Sequence, residues 1–116
     1  MASIKDNHDT SRDQYVSHKL YLEKRAGNRY YNLGYMMYKE IIATTSVATI
    51  GNLKTAIVNF DIALLFNSND VDAKARKNYL CDTYGPNGTQ VVNGFDNAVL
   101  NSWKTEAKKQ FRECKC

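Results

Sequence analysis

The feature that most constrains this chain is an apolar row of helical period reaching from Tyr15 to Ile41. Tyr15, Leu22, Ala26, Tyr30, Leu33, Met37 and Ile41 follow one another at steps of seven, four, four, three, four and four. Residues spaced in this way share one face of an α-helix. The row therefore asks for one long helix, read here over residues 12 to 43, with Thr10 or Ser11 as its N-cap. A break at Gly34 is the alternative. Within the row stands "AGNRYYNLG", residues 26 to 34, where two adjacent tyrosines lie between two glycines. A glycine costs a helix interior about 1 kcal/mol relative to alanine. A helix retains one when another backbone has to come close, so Gly27 is read as packing room for an antiparallel neighbour.

Three further segments carry a helical period. Leu53, Ala56, Ile57, Phe60, Ala63 and Leu64 form a stripe over residues 52 to 66. Its alternation of small Ala56, large Phe60 and small Ala63 suits close helix packing, because small residues admit the partner and the ring fills the hollow beside them. The expectation is that Phe60 lies near the Gly27 notch. Asn67, Ser68, Asn69 and Asp70 make the next turn, with Asp70 as cap of a third helix. Val71, Ala75, Tyr79 and Leu80 carry that helix to about Thr83. Phe95, Val99, Trp103, Ala107 and Phe111 recur every four residues and define a fourth helix. The single proline, Pro86, lies in "YGPNGTQ", the clearest loop in the chain. The stretch "ATTSVATIGN", residues 43 to 52, is a second breaker zone. Whether residues 35 to 51 extend the first helix or form a loop is left open by the sequence. The organisation expected is a disordered or extended leader over 1–10, a helical hairpin region over 11–84, a loop over 85–94 and a C-terminal packing helix with its tail over 95–116.

Composition narrows the function classes. An apolar content of 43% and a charged content of 24% in 116 residues suit one globular domain. The polar start "MASIKDNHDTSRDQ" lacks the apolar core of a signal peptide, and no apolar run approaches the ~18 residues that a membrane span needs. Three cysteines, two of them in the last three residues, make no disulfide framework. An intracellular setting is expected, the interior of a viral particle included. A net charge of +4 is read as a solvated surface with spare lysines.

No nucleophile elbow, phosphate loop or paired-carboxylate arrangement is present, and no catalytic residue, metal ligand or cofactor is assigned. Cys114-Lys115-Cys116 with Cys81 falls short of the four ligands of a structural zinc site and is read as a free tail. His8 and His18 are read as surface residues. The basic tail "KTEAKKQFRECK" is read as an amphipathic packing helix, since Trp103 and Phe111 lie on its apolar stripe and its lysines beside or opposite it. Nucleic-acid binding stays as an alternative.

The stretch "AGNRYYNLG" and the stripe "LKTAIVNFDIALLFNSND" together resemble the tetratricopeptide repeat (TPR), a helix–turn–helix unit of 34 residues. Gly27 stands at the family's small position and Tyr30 at its aromatic one. Ala56, Phe60, Ala63 and Leu64 match its second helix, and "VDAKARKNYL" looks like the start of a following repeat. The resemblance spans residues 20 to 80. The chain departs from it in about 17 extra residues between the helices, in Ser68 where proline is usual, and in a third helix without the aromatic–Leu-Gly motif. What the resemblance implies is an all-α fold of TPR-like antiparallel hairpins, about four helices with a long first one.

It implies, too, a partner-binding surface on the first helix. In some TPR domains a lysine and an asparagine grip a terminal carboxylate, and Lys24 and Asn28 match that pair at i and i+4. The asparagine expected from a second repeat falls at Arg76. Arg25 stands beside the pair. Tyr21, Tyr31, Tyr35 and Tyr38 do not all fit one buried stripe, and several are expected to contact another chain. The reading reached is a non-enzymatic protein-interaction module binding through Lys24, Arg25, Asn28, Tyr31, Tyr35 and Tyr38. Its partner is another protein or a neighbouring subunit, with oligomer formation allowed. The alternative is a structural subunit of a large cellular or viral assembly.

Overall fold

The computed structural model describes the backbone of residues 4 to 114 and the side chains of residues 18 to 113. Within these bounds the protein is all-helical: α1 (Ile4–Ala43), a short 3-10 helix (Thr45–Val47), α2 (Ile50–Phe66), α3 (Val71–Tyr84) and α4 (Asn97–Cys114). The long first helix holds through both glycines. Its N-terminal bound corrects the expected leader: residues 4 to 10 are helical, and residues 1 to 3 lie outside the described part. Neither glycine nor proline occurs before Gly27 to stop a helix from growing backwards once its first turns exist. The open question over residues 35 to 51 also has its answer. Residues 35 to 43 belong to α1, and the 3-10 turn carries the chain into α2.

Each start has a local cause. Thr49 Oγ1 accepts from the Asn52 amide at 3.2 Å and caps α2, while Asn52 Nδ2 donates to the Val47 carbonyl at 2.9 Å. Asp70 caps α3, its Oδ1 accepting from the Ala73 amide at 3.1 Å, as the sequence predicts. Asp96 Oδ1 accepts from the Val99 amide at 2.8 Å, so α4 begins at Asn97 and Phe95 packs just ahead of it. The loop between α3 and α4 folds back on the end of α3: Gln90 donates to the Thr83 carbonyl and Val92 to the Tyr84 carbonyl.

The core lies around α2, which is wrapped on more than one side. Leu53, Ala56, Ile57, Phe60 and Ala63 are buried as their period predicts, and Val58, Asp61 and Ile62 join them. Burial on more than one face follows from three neighbours, since α1, α3 and α4 each pack on α2. The fourth helix thus lies chiefly on α2 rather than covering α3. Side-chain pairs give the directions. Gly27 faces Ala63 and Phe66, while Gly34 faces Ala56 and Phe60, so α1 and α2 are antiparallel. Tyr31 meets Arg76 and Tyr38 meets Tyr79, so α1 and α3 run the same way. Phe66 meets Phe111 near the C-terminal ends of α2 and α4, which also run alike.

Two apolar rows sit differently from expectation. On α1 the buried face is Gly27, Gly34, Tyr38 and Ile41, whereas Leu22 and Leu33 are exposed. On α3 the buried residues are Ala73, Leu80 and Tyr84, with Val71, Ala75 and Tyr79 outside. The register of the notch is corrected as well. Phe60 seats against Gly34, where an added Cβ would stand 2.8 Å from Phe60 Cδ1 and 3.0 Å from the Ala56 carbonyl oxygen. Gly27 instead admits Phe66, at 3.2 Å from its Cβ. Two glycines seven residues apart make two notches on one face, and the ring of Phe60 takes the tighter one.

Candidate interaction surface

The six residues singled out on the first helix divide into three groups. The tyrosines turn inward. Tyr31, Tyr35 and Tyr38 stack as a ladder along α1, with ring centroids 5.8 and 6.0 Å apart. Tyr31 and Tyr38 both lean on Phe60, and Tyr38 meets Tyr79 edge-on at 6.0 Å. Arg76 of α3 closes the ladder. Its Nε donates to the Tyr31 hydroxyl at 2.9 Å, and its guanidinium lies 4.5 Å from the Tyr35 centroid and 5.1 Å from that of Tyr38. The hydrogen bond to Tyr31 holds the guanidinium above its ordinary basicity. Placed in this way, these rings bind α3 to α1; Tyr38 is buried, and Tyr31 and Tyr35 are partly exposed. Tyr35 keeps a partly exposed edge, over which Lys39 lies at 4.9 Å.

Lys24 and Asn28 are exposed and do share a face. They border a groove of about 380 Å³ formed where α1 runs on beyond the last turn of α2. Leu20 and Glu23 continue its α1 wall, and Phe66 and Asp70 close its far end. The rim is mixed in charge, with Asp70 occupied in capping α3. Arg76, at the position where the resemblance asks for a second asparagine, points into the tyrosine ladder. Arg76 therefore does not face the groove that Lys24 and Asn28 border.

Arg25 stands apart from both groups. Its guanidinium covers Tyr21 at 5.6 Å, and it borders the outer face of α1 with Leu22, Arg29, Leu33 and Met36. That face lies opposite the glycine notches by helical geometry. Leu22, Leu33 and Met36 are 50%, 42% and 62% exposed. His18 is exposed and stacks on Tyr21. His8 and the Cys114–Cys116 tail lie outside the described side chains.

Sequence reasoning passed over Leu20 and Phe66, which make the groove apolar. Phe66 is the hub of that end of the molecule: it stacks on Tyr30 at 6.1 Å and meets Phe111 edge-on at 4.8 Å. Its position one turn beyond Ile62 was the available signal. Also passed over was the buried pair Asp61–Lys77, 2.5 Å apart between α2 and α3. Burial pushes the Asp61 carboxyl above the usual aspartate value, against the lowering effect of Lys77 and, more weakly, Lys104. Asp61 Oδ2 has no hydrogen-bond partner. Cys81 is half-buried, and burial raises its thiol, away from the thiolate that a nucleophile needs. Among the described residues no three His, Cys, Asp or Glu side chains converge on a metal position, and no helix is long and apolar enough to cross a membrane. No protein-family model, curated protein or solved structure matches the chain.

Proposed function

We propose that this protein is a non-enzymatic, TPR-like interaction module that contributes one long helix to a larger complex. The observation that carries the reading is the mismatch in length between α1 and its neighbour. The 40 residues of α1 extend about 60 Å, whereas the 17 residues of α2 cover about 25 Å of it. The molecule is correspondingly long, 66 × 25 × 18 Å. Packing on α2 runs from Gly27 to Ile41, and N-terminal to it Leu20, Tyr21 and Leu22 are all at least half exposed. Helices in proteins draw most of their stability from tertiary packing of one face rather than from propensity, so a projecting arm is stabilised by whatever packs along it.

Two further observations support the TPR-like form. Helices α1 and α3 run one way and α2 and α4 the other, the arrangement of two stacked hairpins, and the small–large–small stripe of α2 is wholly buried against α1. The side chains whose ionisation the fold perturbs favour a non-catalytic role. Asp61 is tied to Lys77, and Tyr84 and Cys81 are raised by burial, which leaves them protonated.

The test is site-specific photo-cross-linking in cells of the native source, with the reactive group at position 22 on the arm or at position 54 on the exposed side of α2. The reading expects a discrete heterologous adduct from the arm alone, reproduced when both proteins are purified and mixed. Adducts only between copies of this chain support the structural-subunit alternative. Equal labelling from both positions, or turnover of a substrate abolished by one point substitution, contradicts the module.

A further inference from the structure

The loop between α3 and α4 holds two asparagines that each precede a glycine, Asn87-Gly88 and Asn93-Gly94. Such a pair is chemically unstable, because the glycine amide nitrogen attacks the neighbouring side-chain carbonyl with no side chain of its own in the way. The fold treats the two pairs differently. The Gly88 amide donates to the Gly85 carbonyl at 2.9 Å. Gly88 is also seated against the end of α3, where an added Cβ would collide with the Thr83 carbonyl. The nitrogen that would attack Asn87 is thus bonded, and the backbone that would have to rotate is packed. At the second pair the Phe95 amide donates across the turn to the Val92 carbonyl at 3.1 Å. Gly94 has a φ of 90°, which suits the glycine position of such a turn. The peptide between Asn93 and Gly94 has no hydrogen-bond partner among the described residues. Both residues are exposed, and a Cβ on Gly94 would meet nothing within 4 Å. One hydrogen bond closes this turn, so the rotation that cyclisation needs has little else to break.

We propose that Asn93 is a site of self-modification, which cyclises onto the Gly94 amide while Asn87 is held back. The Gly94 nitrogen bonds to Cγ of Asn93, the Cγ–Nδ2 bond breaks, and the Gly94 amide proton leaves with Nδ2 as ammonia. Water then opens the cyclic imide at either carbonyl. Attack at Cγ yields aspartate. Attack at the main-chain carbonyl yields isoaspartate, whose backbone runs through the side-chain carbon. Either product adds a negative charge to the loop. Isoaspartate also lengthens the main chain just ahead of Phe95, which is 4% exposed and packs on Trp103 with ring centroids 5.3 Å apart. Asp96, the next residue, caps α4: its side chain accepts from the Val99 amide and its carbonyl from the Leu100 amide. The added carbon therefore loosens the start of α4.

The purified full chain is incubated in warm, mildly alkaline buffer, and conversion at each asparagine is followed by peptide mapping and by enzymatic methylation of isoaspartate. Conversion at position 93 is expected to exceed that at position 87 by about fivefold or more, the factor by which one hydrogen bond withholds an amide. The same chain unfolded in guanidinium chloride is expected to convert both positions at similar rates, since each asparagine precedes a glycine. Asn93→Gln, which requires a larger and slower-forming ring, is expected to lose the signal at 93 and keep that at 87. In the isoaspartate fraction the Val99 and Leu100 amides are expected to exchange faster than in fresh protein. Equal rates at 87 and 93 in the folded chain overturn the proposal, as does a position 93 that converts only once the chain is unfolded. Unchanged exchange at Val99 and Leu100 overturns the loosening of α4. The interaction-module reading is untouched by any of these results, since it rests on α1 and not on this loop.

Discussion

At the scale of single residues, the packing of α1 on α2 depends on side chains that are missing. An alanine at position 34 would set its Cβ at 2.8 and 2.9 Å from the Phe60 ring and at 3.0 Å from the Ala56 carbonyl oxygen. The ring is buried and the carbonyl belongs to the backbone, so neither yields cheaply. The helix-propensity gain of about 1 kcal/mol is outweighed, and Gly34→Ala is expected to cost about 1 to 2 kcal/mol net. Gly27→Ala meets only Phe66 Cβ at 3.2 Å and is expected to be near neutral. Gly51→Ala, with nothing within 4 Å, is expected to stabilise by about 0.5 kcal/mol. Urea denaturation of the three variants checks the order, which is 51 above 27 above 34.

The Asp61–Lys77 pair makes a separate residue-scale case. Lys77→Ala strands a buried carboxylate and is expected to cost about 3 kcal/mol. The pH dependence has a definite sign. Asp61 is raised in the folded state, so over the interval from about pH 4 upwards the native protein holds this proton more tightly than the unfolded chain does. Stability from this group therefore falls as pH rises through that interval and levels off above it. Relative to Asp61→Asn, the parent protein is expected to lose ground with rising pH in denaturation series.

At the scale of elements, the tyrosine ladder and Arg76 tie α3 to α1. Tyr31→Phe keeps the stacking on Tyr35 and Phe60 but removes the acceptor for Arg76 Nε, and is expected to cost about 1 kcal/mol. Arg76→Ala removes the contacts to Tyr35 and Tyr38 as well and is expected to cost more. A double-mutant cycle between positions 31 and 76 isolates the shared part. This clamp was hidden in the sequence because arginine reads as surface, yet its flat guanidinium lies against rings with little penalty. The same reasoning explains which helices were legible. In α2 and α4 nearly every inward position is a large or small apolar residue, so counting apolar steps finds the buried face. In α1 two of the inward positions are glycines, which add nothing to an apolar count, while Leu22 and Leu33 on the outer face add much. In α3 the half-buried positions include Arg76 and Lys77, whose stems are apolar and whose tips are not. The groove was half legible: Lys24 and Asn28 stood out by spacing, but its apolar part depends on where α2 stops relative to α1, a tertiary fact that no local pattern encodes.

At the scale of the whole molecule, α1 has two parts with different supports. From Gly27 to Ile41 it is a member of the helical core, and N-terminal to that it is an arm whose described apolar side chains face outward. Substituting on the arm should therefore separate folding from binding. Leu20→Asp is expected to leave the thermal midpoint within about 2 °C of the parent, since it buries little, while weakening any partner contact made through the arm. The division of α1 is tested most directly by amide hydrogen exchange along it, read by mass spectrometry on the purified chain at low concentration. The account predicts that amides from residues 27 to 41 exchange only as the core opens, and that those from 18 to 24 exchange far faster. Equal, strong protection on both sides of Gly27 would contradict it, because the arm would then have its partner within the monomer and no face left to offer another protein.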